Sequence, residues 1–296
     1  MMTAKNNMNT TTWKIGDIKV TSVIEIEDAG KVIQKGLPDA TKENVSKISW
    51  LAPHFADREG NLKALVQVFV VETRGACIIV DPCVGKDKVR TELPEWNNLH
   101  TDFLSRLEDS GYRREKIDMV LCTHLHFDHV GWNTVLVDGK WVPTFTHARY
   151  LFVEKEFSYW KSHPEAESVD DRAGFSDSVL PVFEAGLVDL VSSDHTISQE
   201  ISLIPTPGHT PGHVSIFIQS GAERAVISGD TVYHPCQIAN PDWGTPWDTD
   251  REQARASRKA LFERFADTQT LFIGSHFAAP WAGYLRREGD GYKFVF

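Results

Sequence analysis

The chain has 296 residues, with 31 Lys and Arg against 41 Asp and Glu, which gives a formal net charge of −10. With 41% hydrophobic and 24% charged residues, its composition is that of an ordinary globular protein. The acidic balance disfavours a nucleic-acid-binding protein, because an acidic surface repels phosphate backbones. No apolar run approaches the roughly 18 residues needed to span a bilayer.

The polar N-terminus, MMTAKNNMNTTTW, lacks the apolar core of a signal peptide. We therefore expect residues 1–12 to be a disordered lead and residues 13–296 to be a single domain. None of the cysteines forms a C-x-x-C pair, so they are expected to be buried free thiols in a cytoplasmic protein. These cysteines are Cys77, Cys83, Cys122 and Cys236.

Short β-branched and aromatic runs bounded by turn residues predict strands along the whole chain. The runs cover residues 18–26, 64–73, 76–81, 117–122, 187–191, 201–206, 214–219, 224–229, 270–274 and 292–296. Helices are predicted over 98–111, 148–160 and 249–265, the last with a capping-box pattern from Thr249 to Glu252. Residues 29–60 are irregular and are expected to be a covering loop. Two groups of strands punctuated by helices predict an α/β (α+β) fold with two packed sheets and outer helices.

The stretch THLHFDH follows the apolar run IDMVLC, and it concentrates titratable side chains where a buried strand ends. His124 and His126 are two residues apart, so at a strand end both imidazoles can reach one point. Asp128 and His129 fall in the turn beyond and can reach a second point nearby. Clustered histidine and carboxylate side chains are what a metal site requires.

Further candidate ligands follow later strands in the same pattern of apolar strand, small-residue turn and polar side chain. The run IPTPGHTPGH offers His209 and His213, and VISGDTVYHP offers Asp230 and His234. The run LFIGSHF offers His276. Each side chain sits at a strand end, where α/β folds place their chemistry.

The ordered set H-x-H-x-D-H, P-G-H-T, S-G-D and G-S-H resembles the metallo-β-lactamase superfamily over about residues 64–277. This resemblance implies a four-layer αβ/βα sandwich of two mixed sheets with outer helices and with the metals at one edge. It also implies two divalent ions, with Zn²⁺ expected and Mn²⁺, Co²⁺ or Fe²⁺ as alternatives. The implied ligands are His124, His126 and His209 for the first ion, Asp128, His129 and His276 for the second, and Asp230 for both. By the same resemblance, His213 is structural and Asp81 supports the ligand loop.

The resemblance implies hydrolysis by a metal-bridging hydroxide that attacks a lactone or ester carbonyl. Retention of Asp230, with Tyr233 three residues later, resembles N-acyl homoserine lactonases, so Asp128 and Tyr233 are the candidate catalytic residues. The C-terminal run GSHFAAPWAGYLRREGDGYKF resembles instead the methyl-parathion-hydrolase type, which implies a phosphotriesterase or arylesterase. A di-iron redox or oxygen-sensing protein is the alternative from another class, but such proteins carry Glu where this chain has His126.

Aromatic residues near the candidate ligands predict a small, neutral, hydrophobic ester or lactone as substrate. The candidates are Trp50, Phe55, Trp132, Phe157, Trp160, Trp243, Trp247 and Phe277. Several of them are expected to belong to the core. The resemblance also implies a homodimer.

Overall fold

The computed structural model of the protein describes residues 10–162 and 168–296. Most of the lead expected over residues 1–12 therefore lies outside the described residues, and its last part belongs to the first strand, which begins at Thr10. No helix in the described part of the chain is both long enough and apolar enough to cross a membrane.

The described residues form fifteen strands. They are β1 Thr10–Ile15, β2 Ile18–Ile26, β3 Val66–Glu72, β4 Cys77–Val80, β5 Met119–Leu121, β6 Thr134–Val137, β7 Lys140–Pro143, β8 Arg149–Val153, β9 Val188–Val191, β10 Ile201–Pro205, β11 Val214–Ser220, β12 Glu223–Ile227, β13 Thr270–Ile273, β14 Ala282–Glu288 and β15 Gly291–Val295. Each strand predicted from the sequence is present, with ends shifted by no more than two residues.

The α-helices of the described residues are short, with one exception near the C-terminus. They are α1 Gly30–Gly36, α2 Lys42–Ser46, α3 Phe103–Asp109, α4 Phe127–Val130, α5 Glu154–Ser162, α6 Val169–Gly174, α7 Leu180–Glu184, α8 Cys236–Ala239 and α9 Arg251–Phe265. The segments Pro94–Trp96, Arg114–Lys116, Gly131–Asn133 and Gly229–Thr231 are 3₁₀-helical, and Phe175–Val179 is a π-helical turn.

The chain divides into two compact units, the first made of Met1–Glu25 and Val66–Ser192. Its seven-stranded mixed sheet has the order β1-β2-β3-β4-β5-β8-β9, and β6 and β7 form a separate hairpin. Strands β4, β5, β8 and β9 run parallel to one another. The loops after β4, β5 and β8 therefore leave the same edge of the sheet, where the carboxyl ends of parallel strands meet.

The second unit consists of Ile26–Leu65 and Ser193–Phe296. Its six-stranded mixed sheet has the order β10-β11-β12-β13-β14-β15. Strands β10, β12 and β13 run in one direction, because β11 is antiparallel to both of its neighbours and β13 is parallel to β12. The loops that carry His209, Asp230 and His276 each follow one of these three strands and leave the same edge of this sheet.

The prediction of a helix over residues 148–160 is wrong for the first half of that range. Residues Arg149–Val153 form strand β8, and only Glu154–Ser162 are helical. The apolar run pairs with β5 on one side and with β9 on the other, so sheet pairing overrides the helical pattern. The cap expected at Thr249 is also displaced, because the Asp250 side chain accepts the Gln253 amide.

The stretch over residues 29–60 is more ordered than a plain loop, since it contains α1 and α2. Phe55 is fully buried and packs edge-on against the rings of His234 and Phe277. The covering role of this stretch and the single domain over 13–296 remain predictions.

Gly131 follows α4 in the first unit, at a point where two main-chain segments approach closely. Its amide donates to the Cys83 carbonyl oxygen at 2.7 Å. A Cβ atom added at Gly131 would lie 1.8 Å from the carbonyl oxygen of Val84. Only glycine fits there, because main-chain atoms cannot move aside as the tip of a side chain can.

We expect Gly131→Ala to lower the free energy of unfolding by about 3 kcal/mol or more, because the added methyl group forces two main-chain segments apart. Urea unfolding followed by circular dichroism measures the loss. Gly75→Ala is the matched control, since nothing lies within 4 Å of its added Cβ, and we expect a change below about 1 kcal/mol. Similar values for the two variants would contradict this account of Gly131.

Candidate metal centre

The first unit carries a loop of four candidate ligands over residues 123–130, the ligand loop. His124 and His126 are buried, and Nε2 of His124 lies 3.1 Å from Nδ1 of His126. Two nitrogens bound to one tetrahedral zinc ion at its usual bond lengths lie about 3.3 Å apart. The spacing of these two nitrogens therefore suits ligands of one ion.

Asp128 and His129 form a second pair on the same loop. Oδ2 of Asp128 lies 3.7 Å from Nε2 of His129. The other ring nitrogen of His129, Nδ1, lies 3.0 Å from Oδ2 of Asp81. A histidine whose Nδ1–H donates to a carboxylate presents the lone pair of Nε2 to an ion, which is the usual arrangement at metal sites.

Three carboxylates hold the main chain of the ligand loop at alternate residues. Asp81 accepts the amide of Thr123 at 2.7 Å and its hydroxyl at 2.8 Å, as expected for a residue that supports this loop. Glu156 accepts the amide of Leu125 at 3.1 Å, and Asp171 accepts that of Phe127 at 3.3 Å. The side chains of Leu125 and Phe127 are buried, as the alternation in the sequence predicts.

The second unit places one carboxylate between two histidines. Oδ1 of Asp230 lies 3.3 Å from Nε2 of His276, and its Oδ2 lies 3.8 Å from Nε2 of His209. Each oxygen thus faces a different imidazole, which suits a carboxylate that bridges two ions. His276 donates from Nδ1 to the carbonyl oxygen of Leu65 at 2.9 Å, which presents its Nε2 to the Asp230 side.

His213 and His234 are occupied by structural hydrogen bonds. Nε2 of His213 accepts the main-chain amide of Asp230 at 3.0 Å, which agrees with the structural role expected of it. His234 donates from Nε2 to the carbonyl oxygen of Phe55 and accepts the Cys236 amide at Nδ1. Burial lowers the pKa of His234 to about 4, so its imidazole is neutral near pH 7.

Tyr233 is buried beside His209. Its hydroxyl oxygen lies 2.9 Å from Nδ1 and 3.2 Å from Nε2 of that histidine. Its ring is also parallel to that of His276, with centroids 6.2 Å apart. The tyrosine hydroxyl therefore contacts a candidate ligand directly.

Sequence reasoning missed Asp248 and Glu156. Asp248 contacts Nδ1 of His209 at 3.1 Å, although the two residues are 39 positions apart. Glu156 also accepts the indole N–H of Trp160 at 2.8 Å, and the Trp160 ring packs edge-on against His126. Neither acid belongs to a motif, and each has other charged residues close by in the sequence, so no local pattern marks it out.

The aromatic residues proposed as pocket-forming are mostly core residues. Five of them are buried, and only Trp50, Trp243 and Trp247 are partly exposed. The buried ones are Phe55, Trp132, Phe157, Trp160 and Phe277.

The cysteines are free thiols, and burial raises the pKa of Cys83 and Cys122. They are therefore protonated near neutral pH and unsuited to bind a metal as thiolates. The donor set that remains consists of imidazoles and carboxylates, which fits a divalent ion such as zinc. Each unit contains histidine and aspartate side chains of the kind that could hold a metal ion.

The sequence model described as the metallo-beta-lactamase superfamily matches residues 64–276. The probable metallo-hydrolase YflN of Bacillus subtilis (strain 168) is 29% identical over 126 residues, which cover 40% of this chain and 45% of that protein. An N-acyl homoserine lactonase of Bacillus sp is 24% identical over 174 residues, which cover 55% of this chain and 61% of that enzyme. The matched region thus spans less than two thirds of either relative.

Among solved structures, AidC resembles this chain over nearly its whole length. AidC is a dizinc quorum-quenching lactonase in complex with a product. The TM-score is 0.78 at 21% identity, and the alignment covers 97% of each chain. Together with the superfamily match, this likeness confirms the metallo-β-lactamase fold expected from the sequence.

We expect Glu156→Ala to lower the free energy of unfolding by about 2–4 kcal/mol, because it leaves two buried donors, the Leu125 amide and the Trp160 indole, without their acceptor. Guanidinium unfolding of the purified protein measures the change. Glu154→Ala removes an exposed carboxylate from the first turn of the same helix and should cost less than about 1 kcal/mol. Equal losses in the two variants would show that the Glu156 hydrogen bonds do not stabilise the loop.

Proposed function

The chain belongs to the metallo-β-lactamase superfamily, and from this we propose that it is a dinuclear-metal hydrolase that opens lactones, such as N-acyl homoserine lactones. The observation that carries the proposal is the pair of contacts made by Asp230, whose two carboxylate oxygens face two different histidines. A carboxylate in this arrangement suits a centre with two ions. The lactonase named among the sequence relatives and AidC among the solved structures support the substrate class.

We assign the ligands as the family resemblance implies. His124, His126 and His209 would hold the first ion, Asp128, His129 and His276 would hold the second, and Asp230 would bind both. The 3.1 Å spacing of His124 and His126 and the placement of Asp128 beside His129 support this division within the ligand loop. When bound, two divalent ions lower the pKa of water near them and polarise a substrate oxygen, so no serine or cysteine nucleophile is needed.

The residues around the ions orient the substrate and move protons. The Tyr233 hydroxyl contacts His209, a proposed ligand of the first ion. From this position it would donate a hydrogen bond to the carbonyl oxygen of a bound lactone or to the leaving alkoxide. Asp128, at the start of α4, is the proposed acid–base partner on the side of the second ion.

The runner-up is a phosphotriesterase or arylesterase with the same seven ligands. This activity differs from lactone opening in the reacting centre and the leaving group. The C-terminal run after His276 supports it. A neutral, hydrophobic substrate suits both activities.

We also propose that the protein is cytoplasmic, which the buried free thiols support. We further propose that it is a homodimer, which only the family resemblance supports.

The function is tested with purified protein of known metal content. We expect chelator-treated protein to release no acid from an acyl homoserine lactone series, and Zn²⁺ to restore the reaction, because the activated water depends on the ions. A pH-indicator assay measures the rate, with an aryl phosphotriester tested in parallel. A faster phosphotriester reaction would move the chain to the runner-up activity, and lactone opening that survives chelation would exclude the dinuclear mechanism.

We expect Tyr233→Phe to lower kcat for lactones by about 10- to 100-fold, because the loss of one oxyanion donor costs at least that much in other hydrolases. Phosphotriester turnover should fall much less. Steady-state kinetics on both substrates measure the ratio. Tyr284→Phe, on strand β14, is the control for removal of a phenol hydroxyl elsewhere in the same unit. Equal effects of Tyr233→Phe on both substrates would remove the reason to prefer lactones.

A further inference from the structure

Asp248 is a buried acid whose two oxygens have different partners, and it lies outside every motif. Oδ1 lies 3.1 Å from Nδ1 of His209, and Oδ2 accepts the amide of Thr245 at 3.3 Å. The side chain has no exposed surface. A buried carboxylate persists only where such partners compensate for the water it has lost.

The main chain fixes Asp248 against the histidine. The amide of Thr249 donates to the carbonyl oxygen of His209 at 2.9 Å, and the amide of Asp250 donates to that of Gly208 at 2.8 Å. Gly208 has a φ of +126°, and a Cβ atom there would lie 2.0 Å from the amide nitrogen of Ala254. The segment before helix α9 therefore lies directly on the His209 loop and leaves the carboxylate little freedom.

A buried cation interacts with this acid. Arg258 is fully buried on α9 and donates to the carbonyl oxygens of Thr231 and Trp243. Its guanidinium also interacts electrostatically with Asp248. Because Oδ2 of Asp248 accepts the Thr245 amide, the carboxylate is an acceptor here, and Nδ1 of His209 is the donor of the hydrogen bond that they share.

We propose that Asp248 is a positioning residue that holds His209 in the tautomer with the proton on Nδ1. This inference rests on the proposed function, because its purpose is to direct the Nε2 lone pair toward the ion shared with Asp230. The Nε2 atom already faces Oδ2 of Asp230 at 3.8 Å. An anionic acceptor on Nδ1 also makes the imidazole a stronger ligand.

The same tautomer bears on the Tyr233 hydroxyl. That oxygen lies 2.9 Å from Nδ1, but a protonated Nδ1 cannot accept its proton. With Nε2 directed to an ion, neither ring nitrogen of His209 would accept the proton of Tyr233. Asp248 would thus act, through His209, on the contact between these two side chains as well as on metal affinity.

The test compares Asp248→Asn with Asp242→Asn in the full-length protein. Asp242 is an exposed acid that pairs with Lys259 and Arg255, so its substitution makes the same change of charge away from His209. Competition with a chromophoric chelator measures the Zn²⁺ affinity of each site. We expect Asp248→Asn to weaken one ion by about 10- to 100-fold, with the other ion and the control variant changed by less than about threefold.

The ¹⁵N chemical shifts of the imidazoles in ion-free wild-type protein give a second readout, which does not depend on how the variant folds. A proton on Nδ1 of His209 is expected, and a proton on Nε2 would overturn the inference. Wild-type Zn²⁺ affinity at both sites of Asp248→Asn would overturn it too. Wild-type protein that binds no Zn²⁺, or that binds two ions and opens no lactone, contradicts the proposed function, while the tautomer measurement still decides the role of Asp248.

Discussion

A histidine that binds a metal can offer only one ring nitrogen, so the partner of the other nitrogen decides whether a ligand lone pair points at the ion. In the first unit, Nδ1 of His129 is held by Asp81. In the second unit, Nδ1 of His276 is held by a main-chain carbonyl, and that of His209 by Asp248. Under the proposed assignment, each of these Nε2 atoms is directed to its ion by contacts within the protein, so binding would require little reorganisation. The orientation of these three imidazoles therefore comes from hydrogen bonds within the protein.

Buried carboxyl groups also hold irregular main chain elsewhere in the first unit. Asp170 is buried and accepts the amides of three consecutive residues, Thr91, Glu92 and Leu93. Glu25 accepts the Val84 amide and the Trp132 indole, and burial raises its pKa. Irregular main chain near the sheet edge has no strand partner, and these carboxylates satisfy its amides instead. Some of the acidic residues thus support the interior of the protein and do not lie on its solvated surface.

The sequence predicts what lies close along the chain and misses what folding brings together. The strand ends and the residues after them follow from local pattern, because strand, small-residue turn and polar side chain are contiguous. The role of His213 also follows, and its contact with the Asp230 amide agrees with it. The strand at Arg149–Val153 could not be predicted, because its helical pattern yields to pairing with strands far away in sequence. The contact of Asp248 with His209 could not be predicted for the same reason, because the two residues are 39 positions apart.

Aromatic residues that lie near the candidate ligands in the sequence are mostly buried in the structure, and this bears on the choice of substrate. Trp160 resembles a pocket residue in the sequence, yet its indole N–H is bound to Glu156 and its ring packs on His126. It is committed to holding the ligand loop and contributes little surface to a substrate. A count of aromatic residues near the candidate ligands in the sequence therefore overestimates the hydrophobic surface that a substrate can contact. Discrimination between a planar carbonyl and a tetrahedral phosphoryl centre then depends less on apolar area than on where a hydrogen-bond donor points. Tyr233 is a donor of this kind beside His209, and under the proposed tautomer its proton cannot be accepted by Nδ1 of that ring.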